Sequence, residues 1–436
     1  MSRNIVIMGA AGRDFHVFNC CYRDNADFNV VAFTATQIPH IEDRQYPAAL
    51  AGSQYPDGIP IHDEKELDSI LQNNDIDEVI FAYSDVSNDY VDGKRKQVEG
   101  HDVTFSTFDI DATMIPSSKP VIAICAIRTG CGKSQTSRRV THILKDLGKK
   151  TVAIRHPMPY GDLAKQAVQR FATFEDLDLH ECTIEEREEY EPHIKNGVVV
   201  YAGVDYAAIL VEAEKEADVI IWDGGNNDTP FYKPDLWITV TDPHRVGHEF
   251  EYFPGTVNFE RADLILINKV DSATEENIQA IIDNAAKANP DATIVRGNSP
   301  LDVPDPAAIE GKRVLAVEDG PTTTHGGMPF GAGVLAARQN GAAELVDPRP
   351  WAAGEIADTF EHYPNTGPLL PAMGYGDAQV RDLESTINAV ECDLVLVATP
   401  IDLTRILKID QPYQRIGYRL VEEGEELVNA VRGVSG

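Results

Sequence analysis

Apolar runs of strand length recur along this chain, and each ends in glycine or small polar residues before a helix-like stretch. This alternation predicts an α/β fold with parallel sheets. The first group of runs comprises "NIVIMGAAG", "FNVVAFTAT", "IDEVIFAYSD" and "HDVTFSTFD", and the break "SSKP" at 117–120 follows it. We therefore predict a Rossmann-like three-layer domain over residues 1–117.

Two further groups of apolar runs follow this break. The second group includes "PVIAICAIRTG", "KKTVAIRHP", "ADVIIWDGG", "DLWITVTDP" and "ADLILINKVD", and the third includes "KRVLAVEDGP" and "CDLVLVATP". They predict a P-loop nucleotide-binding core over residues 118–305. A C-terminal α/β extension over residues 306–436 is expected to pack on the P-loop sheet.

The stretch "RTGCGKS" at 128–134 lies between an apolar strand and a helical stretch, where a phosphate-binding loop belongs. Small residues let backbone N–H groups surround phosphates, Lys133 can reach the β and γ oxygens, and the Ser134 hydroxyl can bind Mg²⁺. The helix N-terminus adds partial positive charge. We assign nucleotide binding to the loop and the start of its helix: Thr129, Gly130, Cys131, Gly132, Lys133, Ser134 and Gln135.

Two other strand ends carry matching chemistry. Asp223 ends the strand "ADVIIW" and is placed to hold Mg²⁺ together with Ser134. The strand "ADLILI" ends in Asn268, Lys269 and, after one valine, Asp271. In GTPases of this fold, such an aspartate contacts the guanine edge while the asparagine and lysine buttress the loops. The three elements together predict a nucleoside triphosphate site, with ATP and GTP both open.

Ile127 stands where the usual phosphate-loop pattern has its first glycine. The loop instead resembles the variant loop of the branch that includes dethiobiotin synthetase, MinD-type ATPases and signal-recognition GTPases. Arg128 occupies the position of that variant's extra lysine, where a guanidinium could contact the transferring phosphoryl group. We predict catalytic roles for Lys133, Arg128 and Asp223. The alternative for Arg128 is an ion pair with a loop carboxylate.

Clusters of basic residues are conspicuous in so acidic a chain, and two of them follow strands of the nucleotide core. Guanidinium and imidazole groups at that edge would suit a small phosphorylated substrate. The predicted substrate-binding residues are Arg155, His156, Arg170, His244 and Arg245. We interpret His16, His62, His142 and His193 as structural or surface residues, and the charge run at 181–193 as a solvated helix face.

Two glycine loops remain open to more than one interpretation. Gly9 and Gly12 follow the first strand, and they could form part of an NAD site, a phosphate or substrate site with Arg13 and His16, or a simple tight turn. The loop 319–333, which contains His325, could likewise bind a phosphate or form a demanding turn.

The net charge is −32, from 70 acidic and 38 basic residues. Such an excess argues against nucleic acid and anionic membrane surfaces as partners. It favours a salt-adapted, halophilic source over an ordinary acidic enzyme. No leader precedes the first apolar strand and no apolar run approaches about 18 residues, so we expect a cytoplasmic protein. The six cysteines show no zinc spacing.

The chain resembles the archaeal cyclic 2,3-diphosphoglycerate synthetase family, including relatives described as predicted GTPases. The resemblance is carried by "IVIMGAAGRDFHVFN", "AIRTGCGKSQTSRRV", "RHPMPYGDLAKQAVQRFAT", "WDGGNNDTPFYKPDL" and "VEDGPTTTHGGM". It implies transfer of the γ-phosphoryl of ATP to 2,3-diphosphoglycerate, closure of a cyclic pyrophosphate and release of phosphate. It also implies Mg²⁺, with K⁺ as a further candidate ion, and a homodimer.

A second resemblance concerns residues 242–271, which are similar to a pattern of the lipid A disaccharide kinases. Two alternative functions therefore stay open beside the synthetase. One is a regulatory or chaperone-type GTPase that acts on a protein partner, and the other is a different small-molecule kinase.

Overall fold

Three sheets built along successive stretches of the chain organise the protein. The structure, a computed structural model, describes residues 2–36, 44–156, 161–225, 228–324, 326–374 and 376–436. Parallel strands alternate with helices in all three sheets, which confirms the predicted α/β class. In these described stretches, no helix is both long and apolar enough to cross a membrane.

The first sheet has six strands in the order β3-β4-β2-β1-β5-β7, parallel except for β3. Its central strands are apolar on both faces because helices cover both sides. The elements of this stretch are β1 Arg3–Met8, α1 Arg13–Val17, β2 Phe28–Ala35, β3 Gln45–Tyr46, α2 Ala48–Ala51, β4 Ile59–Asp63, α3 Leu67–Asn73, β5 Glu78–Phe81, β6 Val86–Ser87, α4 Asn88–Glu99 and β7 Thr104–Thr107, with a π-helix over Phe18–Tyr22.

The second sheet has nine strands in the order β10-β11-β9-β12-β8-β13-β15-β16-β24, and only the edge strands β10 and β24 run antiparallel. Its elements before the third sheet are β8 Val121–Ala126, α5 Lys133–Asp146, β9 Thr151–Arg155, β10 Gln169–Phe171, α6 Phe174–Leu179, α7 Ile184–Lys195, β11 Val199–Ala202, α8 Tyr206–Ala213, β12 Val219–Asp223, β13 Leu236–Thr241, α9 His248–Glu251, β14 Tyr252–Phe253, α10 Gly255–Arg261, β15 Leu264–Ile267, α11 Glu275–Ala288 and β16 Thr293–Asn298.

The third sheet is built on β18, which pairs in parallel with β19, β20 and β21, while β22 pairs with β21. The remaining elements are β17 Leu301–Asp302, β18 Arg313–Asp319, α12 Gly320–Thr323, α13 Ala332–Gln339, β19 Glu344–Leu345, α14 Gly354–His362, β20 Leu370–Ala372, α15 Asp377–Ala389, β21 Leu394–Ala398, β22 Tyr413–Arg415, β23 Gly417–Tyr418, β24 Val421–Glu422 and α16 Glu426–Ser435.

The chain returns to the nucleotide sheet after the third sheet. Strand β24 pairs with β16, and α16 buries Leu427 and Val431 in the same core as Val140 and Leu144 of α5. The connection into the third sheet, β17, pairs antiparallel with the connection out of it, β23. We call this pair the two-stranded ribbon. The division at residues 117 and 305 stays a prediction, and residues from 421 onward pack with the second sheet.

The first and second sheets are also joined directly. Strand β6 pairs antiparallel with β14, so that Ser87 lies opposite Tyr252. Short 3₁₀ turns lie elsewhere between the main elements, at Glu64–Glu66, Asp111–Thr113, Pro243–Arg245, Val270–Ser272, Pro306–Ala308, Arg349–Trp351 and Leu403–Arg405. The carboxyl ends of β8, β9, β12, β13 and β15 meet at one edge of the second sheet, where ligands bind in open α/β sheets.

Candidate active site

The phosphate loop connects β8 to α5 at the centre of the second sheet. Gly130 and Gly132 have φ of +85° and +108°, which a side chain would strain. A Cβ on Gly132 would also collide with the Asn268 amide. Ile127, in place of the usual glycine, is fully buried, and the backbone of Gly255 at the start of α10 packs directly against its carbonyl. The buried side chain of Ile127 therefore anchors the start of the loop in the core.

Asp223 at the end of β12 is the electrostatic centre of the site. Lys133 donates from Nζ to its Oδ1 over 2.8 Å, while Arg155 and His193 contact its Oδ2 at 2.7 Å and 2.9 Å. Burial alone would raise the pKa of Asp223, but Arg155, Lys133 and His193 together hold that pKa well below its usual range. Burial, together with Arg155, lowers the pKa of Lys133 to about 8.

The residues that directly follow β15 support the phosphate loop. Asn268, fully buried, donates from Nδ2 to the Cys131 carbonyl over 2.9 Å. Lys269 donates to the Gly130 carbonyl at 2.7 Å and pairs with Asp242 at 2.6 Å. These contacts match the buttressing role that the sequence pattern gives to the asparagine and the lysine. Asp271 lies at the surface and accepts the backbone N–H of Ser299.

Arg128 is held by two groups beside the loop. Its Nε lies 3.8 Å from Oδ1 of Asp85, and its guanidinium lies 4.0 Å from the ring centre of Tyr252. The geometry thus contains the ion pair that was the alternative interpretation of this residue. Arg128 also lines the cavity beside the loop, so a role at the phosphoryl group stays a prediction.

A cavity of about 720 Å³ opens over the phosphate loop, between the second and third sheets. Thr129, Gly130, Lys133, Ser134 and Gln135 line its floor. Asp271 and Ser299 lie at one end of it, among apolar side chains that could cover a nucleotide base: Pro300, Leu301, Val303, Pro306 and Leu335.

Five carboxylates line the cavity on the side formed by α7 and β18. Glu189 pairs with Arg155, and we call the other four the acidic wall: Glu185, Glu188, Glu318 and Asp319. Burial raises the pKa of Glu185 and of Glu318 to about 7. Burial and the neighbouring Asp319 raise the pKa of Glu188 well above its usual value. The side chains of Glu188 and Asp319 interact directly with each other.

This wall corrects the interpretation of the charge run at 181–193. Helix α7 begins at Ile184 with a capping box between Thr183 and Glu186, as its sequence allows, but its acidic face is not solvated. Glu185 and Glu188 are 2% and 6% exposed because the third sheet covers them. His193, interpreted as structural, lies on the same helix and contacts Asp223.

With this geometry in hand, comparison with known proteins gives one extensive match. The chain is 57% identical over 429 residues to the arginine synthetase ArcE of Thermococcus kodakarensis, and the match covers 98% of this chain and 96% of the relative. The chain belongs to the arginine synthetase ArcE family. The match confirms the coarser part of the prediction, an enzyme of the synthetase type.

Two other comparisons were made. No family model matches the chain. Among solved structures, LpxK from Aquifex aeolicus, in complex with ATP, aligns with 74% of this chain and 90% of that chain at a TM-score of 0.46 and 15% sequence identity.

The predicted substrate-binding residues of this ArcE family member divide into three groups. Arg155, His156 and His244 line the cavity. Arg155 also pairs with Glu189, and His244 contacts the Ser272 hydroxyl at 2.9 Å. Arg245 lies beside the loop and contacts Asp242 and the Gly326 carbonyl, so it supports the loop from the side.

Arg170 is the predicted substrate-binding residue that the structure places elsewhere. After β9 the chain reverses into the antiparallel edge strand β10, where Arg170 forms a two-pronged ion pair with Glu216 at 2.8 Å. It is not among the cavity-lining residues of the described chain. Its position soon after a strand of the nucleotide core is therefore misleading, because on the edge strand its side chain pairs with Glu216.

The first glycine loop of this family member is a packing element. Arg13 stacks on Phe231 at 3.9 Å, donates to Thr229 and pairs with Asp228 at 3.7 Å. His16 stacks on the same ring at 4.2 Å, and burial lowers its pKa to about 3. These contacts favour the tight-turn interpretation over a phosphate site. In the second glycine loop, His325 lies outside the described residues.

The residues predicted to hold Mg²⁺ fit that ion. Ser134 lines the cavity, and the Oδ1 of Asp223 accepts from Lys133, the side chain that nucleotide phosphates would attract. Over the stretches that the structure describes, no cluster of three or more His, Cys, Asp or Glu side chains forms a ready-made metal site.

Proposed function

We propose that this chain forms arginine in a reaction driven by a nucleoside triphosphate. The observation that carries the proposal is the acidic wall across the cavity from the phosphate loop, because it offers a cationic group a place beside the transferred phosphoryl group. The name of the ArcE relative supports arginine as the product.

The charges of the wall favour a guanidinium over a phosphorylated acceptor. Glu188 and Asp319 are buried beside each other, which disfavours two negative charges there, and a guanidinium with five N–H donors in a planar fork would stabilise both as carboxylates. A substrate with two phosphates would instead meet four carboxyl groups there. Arg155, Arg170 and Arg245, predicted to neutralise such a substrate, are paired with Asp223, Glu216 and Asp242.

The chemistry of guanidinium formation suits a phosphoryl-transfer site. A ureido oxygen of the precursor would attack the γ-phosphorus, forming a C–O–P link and releasing the nucleoside diphosphate. A nitrogen nucleophile would then attack the ureido carbon, the C–O bond would break, and phosphate would leave with the oxygen and take up the proton that the nitrogen loses. Lys133 and the loop amides would hold the phosphoryl oxygens in place, because such transfers depend on positioning and charge neutralisation.

The proposal includes Mg²⁺, held by Ser134 and Asp223. When bound, the ion would neutralise charge on the β- and γ-phosphate oxygens. Lys133 would move its hydrogen bond from Asp223 to the phosphates, while Arg155 and His193 would keep the Asp223 carboxylate in place. From the sequence we further propose a cytoplasmic homodimer from a salt-adapted source, with K⁺ as an additional ion.

The direct test uses the purified chain with Mg²⁺, K⁺, the ureido analogue of arginine (citrulline) and either ATP or GTP. Ammonium, glutamine and aspartate are supplied separately as ¹⁵N-labelled nitrogen donors, and mass spectrometry measures arginine and, with aspartate, the aspartate-substituted guanidine that its attack would give. We expect labelled arginine and an equal amount of nucleoside diphosphate with at least one donor. No arginine under any combination, with nucleotide turnover intact, would reject arginine as the product.

A second candidate function is the synthesis of cyclic 2,3-diphosphoglycerate, which the motifs quoted above favour. Phosphorus NMR of the chain with ATP, Mg²⁺ and 2,3-diphosphoglycerate tests it. A cyclic pyrophosphate signal would establish this activity, whereas nucleotide hydrolysis that neither acceptor changes would favour the regulatory GTPase.

A further inference from the structure

We propose that Asp85, a residue of the first sheet's stretch of chain, positions Arg128 of the phosphate loop for phosphoryl transfer. The proposal rests on nucleotide turnover in the proposed function and is independent of the acceptor. It gives the N-terminal part of the protein a role in the nucleotide site. The glycine loop after β1 does not provide such a role.

Asp85 reaches across from the first sheet to two consecutive residues of the phosphate loop. Its Oδ1 lies 3.8 Å from Nε of Arg128, and its Oδ2 accepts the backbone N–H of Thr129 at 3.4 Å. The Asp85 side chain is 9% exposed, so water screens these contacts weakly. A carboxylate in this place restrains both the loop backbone at Thr129 and the side chain of Arg128.

The backbone around Asp85 is shaped for this reach. Its φ of +57° lies in the left-handed region, which few residues other than glycine, asparagine and aspartate adopt. Strand β6 begins at the next residue and pairs with β14, which carries Tyr252. The Tyr252 ring covers the Arg128 guanidinium at 4.0 Å. One join between the two sheets therefore supplies both groups that hold Arg128.

The ion pair is loose enough for Arg128 to exchange partners. At 3.8 Å, the contact between Nε and Oδ1 exceeds hydrogen-bond distance. An incoming phosphoryl group carries more charge than one carboxylate, so it can attract the guanidinium while Tyr252 and Asp85 restrict its rotamers. Asp85 is thus a positioning residue, because it acts through Arg128.

Asp85→Asn tests the proposal, since asparagine tolerates the left-handed backbone, removes the charge and keeps one oxygen that can accept the Thr129 N–H. The matched control is Asp111→Asn, which breaks an exposed ion pair between the same two parts of the chain, Asp111 with Arg261 at 2.6 Å. Steady-state nucleotide hydrolysis without acceptor is measured for both, and also in an Arg128→Gln background. Because no acceptor is present, the result stands whether or not arginine is the product.

We expect Asp85→Asn to lower kcat about tenfold to a hundredfold with little change in KM, as for a slightly misplaced catalytic group. The loss should vanish in the Arg128→Gln background, and Asp111→Asn should keep the original kcat. An unchanged kcat, or an equal loss in both backgrounds, would overturn the proposal. If Asp85→Asn does not fold, Asp85→Gly takes its place, because glycine also adopts the left-handed backbone: a kcat loss that depends on Arg128 supports the proposal, and any other result overturns it.

Discussion

Lys133 donates a hydrogen bond to Asp223 across 2.8 Å, so the lysine expected to reach the nucleotide phosphates is held ready by a buried carboxylate. Lys133→Ala removes this charge, and we expect kcat for nucleotide turnover to fall by about a hundredfold or more. Arg155 and His193 still contact Asp223 in that variant, so the fold should persist. Lys145→Ala, at an exposed position of the same helix, is the control, and equal activity of the two variants would remove Lys133 from the mechanism.

Glu188→Gln should weaken arginine binding without destabilising the free protein. We expect arginine to bind about tenfold or more weakly by calorimetry, because a charged hydrogen bond is lost. The free protein should melt at the same or a higher temperature, because a buried carboxyl group beside Asp319 becomes a neutral amide. Glu175→Gln, at an exposed position of α6, should change neither quantity. Unchanged arginine affinity in Glu188→Gln would exclude the acidic wall as the binding surface.

The acidic wall should also make arginine binding depend on pH. Burial raises the pKa of Glu185 and Glu318 from 4.5 to about 7, so the folded free protein holds these protons more tightly than the unfolded chain does. Their contribution to stability is therefore full below about pH 4.5 and is lost as the pH rises through about 7. Arginine requires the ionised carboxylates, so the rise in melting temperature on adding arginine should grow over the same range. A rise that is constant from about pH 5 to about pH 9 would contradict this linkage.

Arg170→Ala should leave turnover nearly unchanged. Its ion pair with Glu216 lies at the exposed edge strand, and such pairs contribute about 1 kcal/mol or less to the free energy of unfolding. The measurement is kcat/KM for nucleotide turnover and for the acceptor. A loss comparable to that of Lys133→Ala would show that Arg170 reaches the site in a conformation other than the one described.

Much of this site follows from local sequence. The order of Lys133, Asp223 and Asn268 after apolar strands places them at one sheet edge, because parallel strands present their carboxyl ends together. The glycines of the loop and the asparagine that supports it belong to a motif with a fixed geometry. These residues were predicted because their chemistry depends on near neighbours in the chain.

The acidic wall could not be predicted in the same way. Glu185 and Glu188 lie in a helix whose sequence resembles a solvated one, and only the third sheet, more than 120 residues later, buries them. The partnership of Arg128 with Asp85 similarly joins residues that are 43 positions apart and belong to different sheets. Burial of a charge is a property of the assembled fold, and no local pattern reports it.

The two-stranded ribbon places the connection between two sheets beside the cavity. Because β17 and β23 are hydrogen-bonded to each other, the chain enters and leaves the third sheet along one shared ribbon. Leu301 and Tyr418 of the two-stranded ribbon line the cavity. A ligand that fills the space between phosphate loop and acidic wall would therefore also contact both chain connections between the two sheets, which makes the ribbon part of the binding site.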